Sequence, residues 1–137
     1  MLAKILKAVG APRGKTVAIL GLSFKPNTDD IRESLGIDFA RALLKKGIKV
    51  RAFDPVAMPA AQAELPRIVY CPDAYQATKG ADALAVVTEW NQFRQLDLAR
   101  VKRLMRRPAI VDCRNIYDPQ TVREMGFRYQ GVGRGEA

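Results

Sequence analysis

Lys25 and Arg32 stand seven residues apart in the segment GLSFKPNTDDIRES, which runs from Gly21 to Ser34. Both flank the acids Asp29 and Asp30. A lysine places a point charge on a phosphate, and an arginine can fork to one with two parallel hydrogen bonds. The acids can orient the arginine and keep the loop folded, or stabilise the start of the following helix. The chemistry implied is anion binding. A second cation, Arg114, lies in VDCRNIYD, beside Asn115 and ahead of Asp118-Pro119. It can face the same anion or pair with Asp112 or Asp118 at the rim. A third segment, TEWNQF, offers Trp90 and Phe93 either as a ring shelf or as packing beneath the loop.

Two familiar loop motifs are absent. A dinucleotide fingerprint needs G-x-G-x-x-G so that bare backbone approaches a pyrophosphate, but those positions read Gly21, Ser23 and Pro26. A G-x-S-x-G nucleophile elbow fails because Lys25 stands in place of its last glycine. The chain has no histidine, which removes Ser-His-Asp and Cys-His catalysis and histidine-bearing zinc sites. Cys71 and Cys113 form no CxxC pair. They read as small buried hydrophobes in a reducing compartment.

The elements that must hold these residues follow from apolar patterning. Thr16–Leu20, Ile48–Phe53, Arg67–Cys71, Ala83–Thr88, Ala109–Asp112 and Phe127–Val132 read as strands. Ile37, Ala40 and Leu44 mark the stripe of a helix with Ser34 as its N-cap, and Gly47 stops it. Shorter helices fit Pro59–Glu64, Ala74–Thr78, Leu96–Met105 and Pro119–Met125. Near-continuously apolar strands alternating with helices give an α/β fold: a Rossmann-like, doubly wound, mainly parallel sheet of about six strands in one three-layer domain. Such a sheet puts Lys25, Trp90 and Arg114 at strand carboxyl ends, where ligands bind. The stripe Leu2, Ile5, Leu6 and Val9 makes a further amphipathic helix.

A length of 137 residues suits one core. No run of about 18 apolar residues is present to span a membrane, and MLAKILKAVG is too short and charged for a signal peptide. A cytoplasmic location is therefore expected. The net charge of +9 favours an anionic partner. One competing reading is a basic nucleic-acid-binding module, but the Arg103, Arg106 and Arg107 cluster lacks interleaved aromatics and reads as a solvated face. Another is an interaction domain that docks through its first helix.

The segments VAILGLSFKPNTDDIRES, VRAFDPVA, ADALAVVTEWNQF, VDCRNIYDP and GFRYQGVGR, in this order, resemble the C-terminal UDP-binding domain of the UDP-glucose/GDP-mannose dehydrogenase family. TEWNQF and RNIYDP look more like the UDP-glucose 6-dehydrogenase branch than the UDP-N-acetylmannosamine or GDP-mannose branches. The resemblance implies that residues 1–11 end a central linker helix and residues 12–137 form the UDP-sugar-binding domain. It implies that Phe24, Lys25 and Arg114 contact the UDP-sugar, and that Arg32 reaches an NAD carried mainly by an N-terminal domain. The family's cofactor domain, dimerising helix and nucleophilic cysteine belong upstream, so no residue here is expected to be catalytic and the isolated domain is expected to be inactive. The implied partners are UDP or UDP-glucose, those other domains and a second subunit. Two departures stand out. Cys113 replaces a usual glycine beside Arg114, and Leu35 replaces a frequent proline at the helix start.

Overall fold

Six short runs form the sheet, and its central strands are buried because helices cover both faces, whereas Val69 on an edge strand is half exposed. The strands are β1 (Thr16–Leu20), β2 (Lys49–Phe53), β3 (Val69–Tyr70), β4 (Ala83–Val86), β5 (Ala109–Asp112) and β6 (Arg128–Gly131). Every neighbouring pair is parallel, in the order β3-β2-β1-β4-β5-β6. This computed structural model describes residues 1–133. Residues 134–137, which close the expected domain and include Arg134 of the GFRYQGVGR motif, lie outside the described residues.

The helices are α1 (Leu2–Val9), α2 (Leu35–Lys45), α3 (Met58–Glu64), α4 (Ala74–Thr78), α5 (Asn91–Arg94), α6 (Leu98–Leu104) and α7 (Pro119–Glu124). Strand alternation sends Val17 and Ile19 into one core with α1, α2 and α3. Ala18 and Leu20 enter a second core with α4 to α7. The result is the expected three-layer, doubly wound sheet. Each fully buried aliphatic side chain contributes roughly 1.5–3 kcal/mol relative to exposure. The α1 stripe is part of this packing, since Ile5 and Val9 are fully buried and Lys4 Nζ donates to Gly131 O at 2.6 Å.

The expected element types are all present, but their ends differ. The second strand starts at Lys49, the third keeps only Val69–Tyr70, the fourth stops at Val86 and the sixth spans Arg128–Gly131. The expected Leu96–Met105 helix begins two residues later because Asp97 caps it, accepting from Arg100 N. The short α5 has no counterpart in the periodicity. Among the described residues, no helix is long and apolar enough to cross a membrane.

In this strand order the chain winds outward from β1 to β3, then returns to place β4 against β1. The loops after β1 and β4 therefore flank the switch point, where a crevice opens at strand carboxyl ends.

Candidate functional site at the carboxyl edge of the sheet

The loop after β1 is held by backbone contacts and by a carboxylate that it does not contain. Gly21 has φ 106, and a Cβ there would lie 2.4 Å from Thr88 Oγ1. Gly36 permits a second close approach, because its Cβ would lie 2.3 Å from Gly21 O. The two glycines let α2 and the β4 loop press against the turn. Ser34 Oγ donates to Leu22 O at 2.8 Å and accepts from Ile37 N, so the expected N-cap also ties the loop to its helix. Phe24 N donates to Asp30 O at 2.7 Å, closing the segment between them.

Asp54, just past β2, is fully buried. Its Oδ2 accepts from Leu22 N at 2.8 Å, Ser23 N at 3.1 Å, Ser23 Oγ at 3.2 Å and Trp90 Nε1 at 3.3 Å. Its Oδ1 accepts from Val56 N at 2.9 Å and Ala57 N at 2.8 Å. Sequence reasoning missed this residue, although VRAFDPVA contains it. Trp90 is buried and packs beneath the loop rather than forming an open shelf. Phe93 is fully buried and meets the Phe53 ring edge-on.

The loop's side chains then face outward. Phe24 is 42% exposed. Lys25 is exposed and makes no hydrogen bond or ion pair among the described residues. Arg32 is also exposed, and its Nε and Nη2 donate to Asp30 Oδ1 and Oδ2 at 3.0 and 2.8 Å. This forked pair, with the Arg32 backbone N–H, holds the Asp30 carboxyl at about 2, below its ordinary 3.8. Helix-start stabilisation by Asp29 and Asp30 does not describe this geometry, because α2 starts at Leu35 and Asp30 serves Arg32. Phe24, Asp30, Arg32 and Glu33 line an open recess of ≈ 480 Å³.

Arg114 sits across β4, on the loop after β5. Its Nε donates to Val87 O at 2.8 Å, instead of pairing with Asp112 or Asp118 as the rim reading had it. Asp112 is fully buried and shapes the turn itself, accepting from Arg114 N, Tyr117 N and the Tyr129 hydroxyl. The left-handed residue of this turn is Asn115, with φ 53, so Cys113 needs no glycine-like backbone. Asn115 exchanges hydrogen bonds with Val132, at 2.9 Å each. Burial pushes the Cys113 thiol up to about 11, which disfavours the thiolate a nucleophile requires.

The loops meet through β4. Thr88 Oγ1 donates to Ser23 O at 3.0 Å on one side, and Val87 O accepts Arg114 on the other. Phe24 and Arg32 share the recess, with Lys25 on the same loop. Arg114 occupies the same sheet edge beyond the β4 loop. The Arg103, Arg106 and Arg107 cluster is elsewhere and is not wholly solvated: Arg106 pairs with buried Asp82 at 2.8 Å and Arg107 donates to Val9 O.

The family model for the UDP-glucose/GDP-mannose dehydrogenase family, UDP binding domain, matches residues 18–119. The chain belongs to this family. The match takes in the β1, β4 and β5 loops. A UDP-glucose 6-dehydrogenase of Pseudomonas aeruginosa is 48% identical over 93% of this chain and 30% of its own length. One from Rhizobium meliloti is 45% identical over 96% of this chain and 30% of its own. Among solved structures, a UDP-glucose dehydrogenase from the archaeon Pyrobaculum islandicum superposes with a TM-score of 0.79 at 34% identity, covering 98% of this chain and 29% of that one. The UDP-binding domain described here thus spans about 30% of the length of the curated relatives it matches.

Proposed function

We propose that this chain is the C-terminal UDP-sugar-binding domain of an NAD-dependent UDP-glucose 6-dehydrogenase, working in the cytoplasm. The observation that carries the reading is Lys25. It is an unpaired, exposed cation on the β1 loop, at the switch point of a sheet whose family is defined by UDP binding.

In this reading Phe24 supplies an exposed ring against the nucleotide and Lys25 neutralises its diphosphate. Arg114, braced on Val87 O, approaches from the β5 side. Oriented cations fix the substrate, so the reacting alcohol is presented to chemistry carried out by the other domains. Oxidation of UDP-glucose to UDP-glucuronate takes place there, with a second subunit as the further partner. The alcohol-to-carboxylate change is two successive two-electron oxidations, for which NAD bound to those domains would supply the oxidant, one equivalent for each step. Arg32 is the contact this domain offers to NAD. Asp30 engages its Nε and Nη2, and Nη1 has no partner among the described residues.

Titration calorimetry with UDP tests the reading. Saturable binding by the 137-residue chain is expected, and Lys25→Ala is expected to weaken it about tenfold or more, the loss of one charge-assisted phosphate contact. A folded chain that takes up no UDP would overturn autonomous binding by this domain.

A further inference from the structure

The β1 loop already holds an anion, and that anion is part of the protein. In a dinucleotide-binding sheet, the turn after β1 turns successive backbone N–H groups toward a pyrophosphate. An acid about 20 residues farther on, past the Gly-rich turn and at the end of β2, takes the ribose hydroxyl. Asp54 stands at the end of β2, but its carboxylate is turned under the loop. The successive N–H groups of Leu22 and Ser23 converge on a single oxygen, Oδ2, joined there by the Ser23 hydroxyl and the Trp90 indole N–H. Ser23, which replaces the second fingerprint glycine, is buried and adds a donor to the same oxygen.

We propose that Asp54 is a specificity-determining residue: its carboxylate fills the phosphate nest of the β1 turn, closing it to a dinucleotide pyrophosphate. An incoming phosphate oxygen would have to displace a buried carboxylate of like charge that accepts six hydrogen bonds. The residues present therefore do not fit the pyrophosphate of NAD at the Leu22–Ser23 turn. Phosphate recognition is transferred from the backbone to the outward-facing side chains of the same turn. That last step rests on the UDP-sugar reading, whereas closure of the nest does not.

The test follows the backbone amides of Leu22 and Ser23 by NMR in the 137-residue chain, titrated in turn with inorganic phosphate, NAD and UDP. In the wild-type chain neither amide is expected to respond to phosphate or NAD. In Asp54→Ala the vacated donors are expected to show saturable shifts with inorganic phosphate, and NAD affinity is expected to rise about tenfold or more. Asp54→Asn keeps the side-chain volume and serves if the alanine variant does not fold. Its single carbonyl oxygen cannot serve both donor sets, so a weaker phosphate response is expected at the same two amides. A residue that merely supported the fold would lower the melting temperature without creating a phosphate response. Wild-type amides that titrate with phosphate, or folded variants that stay silent, would overturn the proposal. Failure of the wild-type chain to bind UDP would instead remove the UDP-sugar reading, and the phosphate titration would still decide the role of Asp54.

Discussion

The loops after β1 and β5 are each organised by a buried aspartate, but the two carboxylates differ in origin. Asp112 ends its own strand and folds the turn that follows it, two to five residues away. Asp54 ends a different strand and reaches back to residues 31 and 32 positions earlier. Local bracing gives a short turn with its arginine held against a carbonyl. Remote bracing permits a long loop whose inner donors are satisfied while Phe24, Lys25 and Arg32 remain outside. A third buried carboxylate, Asp82, belongs to the opposite edge and does have a cationic partner, Arg106. Asp54 and Asp112 instead take N–H and O–H donors, so neither forms an ion pair with Lys25 or Arg114.

The contrast between remote and local bracing can be broken by mutation. The largest effect is expected for Asp54→Ala, which leaves several buried donors unpaired and should cost about 3 kcal/mol or more. Asp112→Ala strands fewer donors and should cost about 2 kcal/mol. Urea denaturation of both variants checks this, and equal losses would erase the distinction between the loops. The cations should separate differently. Lys25→Ala is expected to lose UDP affinity with stability unchanged within roughly 0.5 kcal/mol, as for an unpaired surface residue. Arg114→Ala should lose affinity and also about 1 kcal/mol, because its bond to Val87 O disappears. Calorimetry beside thermal denaturation separates the two. Ser34→Ala should cost about 1 kcal/mol through the lost cap, with the β1 loop loosened because Leu22 O loses its donor.

The smallest effect concerns Asp30. Its folded-state pKa lies below the unfolded value, so the Arg32 pair adds stability above pH 3.8. That contribution fades as pH falls from 3.8 toward 2. Arg32→Ala should return the Asp30 carboxyl toward 3.8, which carboxyl-carbon NMR would read directly. A value still near 2 in that variant would show that Arg32 is not its cause.

What was legible in the sequence divides along the same line. Strand alternation with helices, the Ser34 cap and the Gly47 stop depend on neighbours in the chain, and all could be read from spacing. The roles of Gly36 and Asp54 could not. A glycine in the first turn of a helix suggests only weak propensity, whereas here it admits Gly21 O. Asp54 precedes Pro55 and looks like an ordinary turn residue, since its partners arrive only when β1 and β2 pair. For Trp90 the sequence leaves a ring shelf and packing beneath the loop both open, and the acceptor that decides for packing, Asp54, cannot be read from it. The Arg114 brace was hidden for a related reason, because a backbone carbonyl just past a neighbouring strand has no sequence signature.

Because Asp54 is synthesised after the whole of α2, a nascent chain that ends within this helix cannot lock the β1 turn. Ordering of the turn must wait for the second strand to emerge and align. Hydrogen–deuterium exchange at Leu22 and Ser23 should then proceed through the same openings that separate β1 from β2. Local flickering of an exposed loop would contribute little. The ligand-facing tip can stay pliable while its root shares the persistence of the sheet.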